Sequence, residues 1–172
     1  MIISLLGYMG CGKSTIGKSL AKTLLLPFTD LDNYISFHEK KTVQQIFSEH
    51  GEIHFRKKEK YYLNELINQN NVVLSLGGGT PIYYDNMKLI TDKSISFYLK
   101  MSPSELYERL ITEKKHRPLI SHLNDESLKE FIAKHLFERS AFYEQAEHII
   151  RVSEKKPDEI CKEIIHILQS KK

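Results

Sequence analysis

Short apolar runs alternate with longer segments of helical periodicity along this chain. The first run, Ile2–Leu6, stops at Gly7. Four further runs follow at residues 27–30, 72–76, 94–99 and 148–152. Apolar runs of this length, bounded by turn residues, are typical of buried strands. We therefore predict five strands, the first of them beginning almost at the N-terminus.

The segments between these runs carry helix signals. Thr42 and Ser102 each begin a capping box, in which a Glu or Gln three residues later completes the cap. Gly51 is expected to end the helix that Thr42 starts. We predict helices at 13–25, 43–50, 52–68, from Pro103 onward, at 126–145 and from Pro157 onward. Residues 114–125 are polar and basic and contain Pro118, which indicates a mobile loop.

Strands that alternate with helices form right-handed βαβ units, and such units build a parallel sheet covered by helices on both faces. Ligands of these sheets bind beyond the carboxyl ends of the strands. The unusual residues of this sequence follow the first, second and third strands, so we expect them to meet in one crevice.

The segment Gly7–Ser14 has the complete pattern of a phosphate-binding loop and lies between a predicted strand and a predicted helix. Its glycines let backbone N–H groups wrap a phosphate, and the following helix directs its positive end at the same anion. Lys13 reaches the β- and γ-phosphates, Ser14 is a ligand for Mg²⁺, and Thr15 is placed to contact the α-phosphate. We interpret Cys11 as a small residue at a variable loop position.

Polar residues and glycines follow the second and third strands. Asp30 either orients Mg²⁺ through water or caps the next helix, and both interpretations stay open. Asp32 is expected to accept a hydrogen bond from a substrate hydroxyl. The run 77–79 consists of glycine and permits close approach of a substrate, and Ser75 before it is a candidate holder of a metal-bound water.

Composition narrows the class of protein. The chain has 172 residues, 41% hydrophobic and 27% charged, which is typical of one soluble globular domain. Its net charge of +3 does not argue for nucleic-acid binding. No run approaches the roughly 20 apolar residues of a membrane helix, and we expect no signal peptide. Two distant cysteines fit a reducing cytoplasm. Without an obvious apolar stripe we expect a monomer.

The ordered set of motifs resembles the shikimate kinase family over nearly the whole chain. The set comprises Gly7–Ser14, Asp30-Leu31-Asp32, Gly51-Glu52 with Phe55-Arg56, the glycines 77–79, Arg117-Pro118-Leu119, and Arg139. The resemblance implies a three-layer α/β/α sandwich of the P-loop NTPase type, with a five-stranded parallel sheet in the order 2-3-1-4-5. It also implies one kinase domain over 1–172, a helical substrate-binding region at about 31–60, and a lid at about 112–125.

The same resemblance assigns the site residues. It assigns ATP binding to Gly10, Cys11, Gly12, Lys13, Ser14, Thr15, Arg109, Arg117 and Lys156. It assigns shikimate binding to Asp32, Arg56, Gly78, Gly79 and Arg139, with Phe47 and Phe55 packing beside the shikimate ring. The catalytic set is Lys13, Asp32 and Arg117, and Mg²⁺ is bound by Ser14, with Asp30 acting through water. From spacing alone, the three arginines Arg56, Arg117 and Arg139 read as structural, so their roles depend on the resemblance.

Two other interpretations remain beside this one. The chain could be another small-molecule kinase, of the gluconate or nucleoside monophosphate type, or a P-loop module that binds nucleotide without transferring phosphate. A regulatory or nucleic-acid-binding module of that kind would show a basic stripe outside the cleft, and the basic run at residues 56–60 is the one hint of it.

Overall fold

The computed structural model describes residues 1–117 and 119–170, so Pro118 of the predicted loop lies outside it. A five-stranded parallel sheet with the order β2-β3-β1-β4-β5 forms the centre of this part of the chain. The strands are β1 (Ile2–Leu6), β2 (Phe28–Asp30), β3 (Val72–Ser75), β4 (Ile95–Lys100) and β5 (His148–Arg151). The predicted strands and their order are confirmed.

Helices surround the sheet and give the predicted α/β/α architecture. They are α1 (Lys13–Leu24), α2 (Leu31–Glu39), α3 (Val43–Ile67), α4 (Asn86–Lys93), α5 (Pro103–Glu113), α6 (Asp125–Tyr143) and α7 (Pro157–Gln169). Helix α1 packs against α7 and β3, α2 packs against α3, and α5 packs against α6. In the described part of the chain, no helix combines the length and the apolar character that a membrane crossing requires.

The centre of the sheet is buried on both faces, as expected for parallel strands covered by helices. In β1, Leu5 is paired in register with Ser75 of β3 and with Phe97 of β4, and all three side chains are buried. This register brings the carboxyl end of β3 to within one residue of the end of β1, while β4 continues two residues further. The loops that follow β1 and β3 therefore begin side by side.

Helix α3 is broken at Gly51, which has φ 80° and ψ 172° inside an otherwise helical run. A positive φ is costly for residues with a side chain, so glycine suits this break. The predicted end of one helix and start of another at this position is confirmed. Thr42 caps the first segment with the capping box that the sequence indicates.

Two helices and a short 3-10 helix were absent from the sequence prediction. Helix α2 follows β2 without a loop because Asp30 serves both as the last strand residue and as the N-cap. Helix α4 spans 8 residues, and the 3-10 helix Thr80–Ile82 spans three. Elements of this length contain too few turns to show a clear periodic pattern.

The predicted loop at 114–125 contains more structure than the prediction allowed. It begins with a 3-10 helix, Lys114–His116, and ends where Asn124 caps α6 by accepting a hydrogen bond from the Ser127 amide. Ile120 lies between these points and is fully buried. An apolar side chain therefore anchors this segment to the rest of the molecule, which the prediction of a polar, basic and mobile loop did not anticipate.

Candidate active site

The glycine loop after β1 has the backbone conformation that binds a phosphate. Gly10 and Gly12 have φ values of 82° and 98°, a region that favours glycine, and Gly12 directly precedes the first residue of α1. The first N–H groups of a helix have no partner within it. The N-terminus of α1 therefore presents donors and the positive end of its dipole at the loop.

Lys13 holds its ammonium group over this loop. Its Nζ donates to the carbonyl oxygens of Gly7 at 2.8 Å and Tyr8 at 3.0 Å. These bonds fold the flexible side chain back along the loop that it follows. The ammonium thereby lies where phosphate oxygens held by the loop would meet it.

Three oxygen groups converge beside the first turn of α1. The Ser14 hydroxyl donates to Oδ2 of Asp30 at 2.7 Å and lies 3.4 Å from Oγ of Ser75. Asp30 also accepts a hydrogen bond from the Asn33 amide at 3.3 Å as the N-cap of α2. Both interpretations of Asp30 are therefore compatible with the structure. Hydroxyl and carboxylate oxygens are ligands that suit Mg²⁺, so this donor set fits that ion.

Asp32 lies two residues further, at the start of α2, and its carboxyl group has an unusual environment. Burial, together with the negative charges of Asp30 and Glu59, raises its pKa from 3.8 to about 6, while Lys13 and Arg56 act in the opposite direction. A Cβ atom at Gly77 would lie 2.9 Å from Oδ1 of Asp32. The glycine thus leaves room for this carboxylate beside the end of β3.

These residues line one cleft of about 480 Å³ at the carboxyl ends of β1, β2 and β3. Its lining includes Met9, Gly10, Gly12, Lys13, Ser14, Thr15, Asp30, Asp32, Ser75, Leu76, Gly77, Gly78, Arg109, Glu113 and Arg117. Residues that follow three different strands therefore meet, as the sequence predicts.

Two of the predicted arginines, Arg109 and Arg117, line the side of this cleft that α5 and the segment after it form. Arg109 of α5 donates from Nη1 to the Gly10 carbonyl at 3.4 Å, so it lies against the phosphate loop. Arg117 forms an ion pair with Glu113, one turn earlier, and its Nε lies 2.9 Å from Oε2 of that residue. The pair is partly exposed, and exposed ion pairs contribute little free energy. Arg117 is therefore free to exchange this carboxylate for a phosphate.

Arg56 lies against Gly79, next to the cleft, but Arg56, Gly79 and Arg139 are not among the residues that line it. It is 8% exposed, and its Nη1 donates to Oε2 of Glu59 at 2.8 Å. A second carboxylate, Glu52, accepts from its Nε and Nη2 at 3.3 Å, and the guanidinium lies 4.1 Å from the ring centroid of Tyr83. A Cβ atom at Gly79 would lie 2.6 Å from Nη1 and Nη2 of Arg56. The guanidinium is thus rigidly positioned against the glycine backbone.

Glu59 is itself fixed by the elements around it. It is 1% exposed and accepts a hydrogen bond from the Thr80 hydroxyl at 2.6 Å. The Asn86 side chain in turn donates to the Thr80 carbonyl at 2.9 Å. The rings of Phe47 and Phe55 pack with centroids 4.6 Å apart on the same side of Arg56. This buried network holds the arginine in one place.

Arg139 approaches the same glycines from α6. Its Nη1 lies 3.4 Å from where a Cβ atom at Gly78 would stand. Tyr143, one turn further along α6, donates its hydroxyl proton to the Gly78 carbonyl at 2.6 Å. Two arginines from different helices therefore flank the Gly78 and Gly79 backbone.

Two predicted ATP residues are placed away from the cleft lining. The backbone N–H of Lys156 donates to the Glu159 carboxylate at the start of α7. The side chain of Cys11 is buried, and its Sγ lies 3.9 Å from Nζ of Lys13. Cys11 can contribute its backbone to a phosphate but not its thiol. The role of Lys156 stays a prediction.

Several residues of the site were missed from the sequence. Glu59 carried a signal, because it stands three residues after Arg56 on the same helix and can pair with it. Glu52 stands four residues before Arg56 and is paired with it in the same way. Tyr83 contacts Arg56 and Tyr8 contacts Arg139, and each pair joins segments that are distant in the sequence. The sequence therefore gives no local signal for either tyrosine.

A phosphate loop at the head of a parallel sheet, with a cleft between it and flanking helices, defines a P-loop kinase of the nucleoside monophosphate kinase-like class. The family model described as "Shikimate kinase" matches residues 9–169. The chain belongs to the shikimate kinase family, and the family predicted from its motifs is confirmed.

Individual relatives agree with this assignment. A shikimate kinase from Flavobacterium johnsoniae is 47% identical over 168 residues, which covers 96% of this chain and 98% of that protein. The crystal structure of a shikimate kinase from Bacteroides thetaiotaomicron is similar with a TM-score of 0.93 and 38% identity, covering 98% of both chains. A shikimate kinase from Acinetobacter baumannii in complex with shikimate is 31% identical with a TM-score of 0.88, covering 99% of this chain and 94% of that one.

Proposed function

We propose that this chain transfers the γ-phosphoryl group of ATP to the 3-hydroxyl of shikimate, giving shikimate 3-phosphate and ADP in aromatic amino-acid biosynthesis. One observation carries the proposal. One cleft is lined by the phosphate loop, by the carboxyl group of Asp32 and by Gly77 and Gly78. Directly beyond this lining, two arginines from different helices flank the backbone of Gly78 and Gly79. Such a cleft suits a triphosphate at one end and a hydroxylated carboxylate at the other.

At the ATP end, positive groups neutralise the charge that develops during transfer. The N–H groups of the loop hold the β-phosphate, and Lys13 bridges to the γ-phosphate. Arg117 exchanges Glu113 for phosphate oxygens when the segment 112–125 closes over the cleft, which also excludes water that would waste ATP. Arg109 lies against Gly10 and would flank the nucleotide base.

The oxygen groups near α1 would bind Mg²⁺. Ser14 would bind the ion directly. Asp30 and Ser75 would hold its water ligands, because a carboxylate oxygen of Asp30 and the hydroxyl oxygen of Ser75 both lie next to the Ser14 hydroxyl. When bound, the ion would help to neutralise the negative charge of the phosphate groups. The part of the protein in this step is to fix the three oxygens at the mouth of the loop.

At the acceptor end, Arg56 and Arg139 would bind the shikimate carboxylate, because guanidinium groups match a carboxylate with paired hydrogen bonds. Gly78 and Gly79 permit this approach by leaving no side chain between the two arginines. Asp32 would orient the ring by accepting hydrogen bonds from its hydroxyls.

Asp32 also has a suitable pKa to take a proton. With a pKa of about 6 it is ionised at pH 7 and more basic than an ordinary aspartate. The 3-hydroxyl oxygen forms a bond to the γ-phosphorus, its proton passes to Asp32, and the bond to the β-γ bridging oxygen breaks to release ADP. Because the transition state of phosphoryl transfer is loose, we assign more of the effect to positioning than to proton removal.

We further propose a monomeric cytoplasmic enzyme that does not bind nucleic acid. The basic run at 56–60 supports the last point, because three of its four cations pair within the protein and only Lys57 has no ion pair among the described residues. Arg56 is paired with Glu59, Lys58 with Glu39 at 2.9 Å, and Lys60 with Asp85 at 2.5 Å. A run whose charges are paired in this way does not form a basic stripe for phosphates.

A coupled assay of ADP release tests the proposal. The acceptors are shikimate, quinate, gluconate and a nucleoside monophosphate, and the control protein is Lys13→Ala. We expect the wild-type protein to release ADP with shikimate and with none of the other three acceptors. The variant should release almost no ADP. Release with gluconate or the nucleotide, or binding of ATP without acceptor-dependent release, would establish one of the alternative functions instead.

A further inference from the structure

The two arginines at the acceptor end are held in different ways. Arg56 is paired with two carboxylates, Glu59 and Glu52. Within the described residues 1–117 and 119–170, no carboxylate forms an ion pair with Arg139. Its guanidinium instead contacts two tyrosines. Cζ lies 5.9 Å from the ring centroid of Tyr8, and the side chain forms a hydrogen bond with that of Tyr143. A cation over an aromatic face at this distance is attracted by the ring.

Tyr8 belongs to the phosphate loop, at a position that the nucleotide-binding pattern leaves open. Its side chain points away from the phosphates into the interface with α6 and is 1% exposed. The hydroxyl lies 3.1 Å from Nδ1 of His135, and the two rings meet edge to face with centroids 5.7 Å apart. Phe131 packs on His135 at 4.7 Å. The ring that supports Arg139 is thus itself fixed by α6.

The protonation states decide the direction of this hydrogen bond. Burial raises the pKa of Tyr8 to about 12, so its hydroxyl keeps the proton at neutral pH. Burial, reinforced by the positive charge of Arg139, lowers the pKa of His135 to about 4, so its imidazole is neutral. Tyr8 therefore donates and Nδ1 of His135 accepts, which leaves a proton on Nε2.

We propose that Tyr8 is a positioning residue for the acceptor: its ring holds Arg139 toward the substrate carboxylate, and His135 fixes that ring. This inference rests on the proposed function, because it needs Arg139 to bind that carboxylate. The phosphate loop would then have two functions. Its backbone binds the phosphates of ATP, and its Tyr8 side chain positions an arginine of the shikimate site.

The arrangement explains why Arg139 does not need a carboxylate partner. An ion pair would compete with the substrate for the guanidinium, whereas an aromatic face leaves the hydrogen-bond donors at the edge of the group unoccupied. Tyr143 supports the same geometry by binding the Gly78 carbonyl one helical turn away. Arg139 is therefore directed at the glycine backbone, and beside its hydrogen bond to Tyr143 it keeps further N–H donors for a substrate carboxylate.

The first test separates the ring from its hydroxyl. Tyr8→Leu removes the aromatic face and should raise the KM for shikimate roughly 3- to 20-fold, with the KM for ATP changed less than about twofold. Tyr8→Phe keeps the face and loses the hydrogen bond, so the KM for shikimate should rise only about 2- to 5-fold. His135→Leu should match Tyr8→Phe, and His135→Asn, which restores an acceptor, should return KM toward the wild-type value.

Tyr107→Leu is the matched control. Tyr107 on α5 carries a similar cation contact to α6, with Nζ of Lys129 4.7 Å from the ring centroid, but it does not line the cleft. Its loss should leave the KM for shikimate unchanged. If this control raises the KM for shikimate as much as Tyr8→Leu, the effect is a general loosening of α6 and the proposal is wrong.

The second test is a double-mutant cycle with Arg139→Met. Because Tyr8 acts through Arg139, Tyr8→Leu should add less than about twofold to the KM for shikimate in the Arg139→Met background. The proposal is overturned if Tyr8→Leu raises the KM for shikimate by the same factor in the wild-type and Arg139→Met backgrounds. It is also overturned if Tyr8→Leu raises the KM for ATP as much as that for shikimate. If the unsubstituted protein fails to phosphorylate shikimate, the proposed function fails and this inference fails with it. If the protein phosphorylates shikimate but the effects of the two substitutions are additive, the inference about Tyr8 is wrong and the proposed function stands.

Discussion

Asp32 is the residue at which function and stability are expected to conflict. Its carboxyl group has a pKa raised from 3.8 to about 6, so ionised Asp32 destabilises the folded protein. A shift of about two units corresponds to at most about 3 kcal/mol at a pH where the group is ionised in both states. Asp32→Asn replaces the carboxylate with a neutral group of the same shape. We expect this variant to unfold with a free energy up to about 3 kcal/mol larger at pH 8, while losing turnover.

The pH dependence follows from the direction of the shift. Since the folded-state pKa is raised, the stability associated with protonated Asp32 is fully present below the unfolded pKa of 3.8. It is lost as the pH rises through about 6. The advantage of Asp32→Asn should therefore be near zero at pH 4 and complete by about pH 7. Urea unfolding followed by circular dichroism at pH 4, 5, 6 and 8 measures it.

Asp92→Asn provides the matched control. Asp92 is exposed and pairs with Lys88 one turn away on α4, so its removal should lower stability by no more than about 0.5 kcal/mol. The reasoning is refuted if Asp32→Asn is no more stable than the wild type at pH 8. It is also refuted if the gain persists undiminished at pH 4, because charge would then not be its cause.

The remaining predictions concern catalysis. Lys13→Ala should lower kcat by at least about 100-fold with an unchanged circular dichroism spectrum, and near-normal kcat would remove its phosphate role. Arg56→Lys should raise the KM for shikimate about tenfold but not that for ATP, and equal rises would contradict the carboxylate assignment. Gly79→Ala should do the same, because its Cβ would lie 2.6 Å from the Arg56 guanidinium; an unchanged KM would show that the arginine moves freely. Finally, kcat/KM for shikimate should fall about tenfold per pH unit below the Asp32 pKa of about 6, and a profile flat to pH 5 would exclude Asp32 from binding in its ionised form.

The parts of the fold that were predictable from the sequence carry local signals. Each strand is an apolar run bounded by turn residues, and the break at Gly51 follows a complete helix cap. Helices α2 and α4 escaped prediction because each has few turns, and α2 begins on the last residue of a strand. The order of the strands came from the family resemblance, because pairing between distant segments leaves no local mark in one sequence.

The site divides in the same way. The phosphate loop is contiguous, so Lys13 and Ser14 were identified from the pattern alone. Asp32 was found because carboxyl ends of parallel strands meet at one edge of the sheet. Arg56 and Arg139 looked structural until the resemblance assigned them roles, since what distinguishes them is their position against Gly79 and Gly78. Such contacts arise only from tertiary packing.

The raised pKa of Asp32 was also beyond sequence reasoning. It depends on burial and on the nearby charges of Asp30 and Glu59, and Glu59 comes from a different helix. A sequence shows which groups can ionise but not which of them share a low-dielectric environment. The same limit applies to the neutral imidazole of His135.

The identity of the product shows whether this protein transfers phosphate to the 3-hydroxyl of shikimate. The wild-type protein is incubated with ATP, Mg²⁺ and shikimate, and the product is examined by phosphorus and proton nuclear magnetic resonance. We expect one new phosphate monoester whose phosphorus couples to the proton on carbon 3 of shikimate, formed together with an equal amount of ADP. A phosphate on another hydroxyl, or ADP formed with free phosphate and unchanged shikimate, would contradict it.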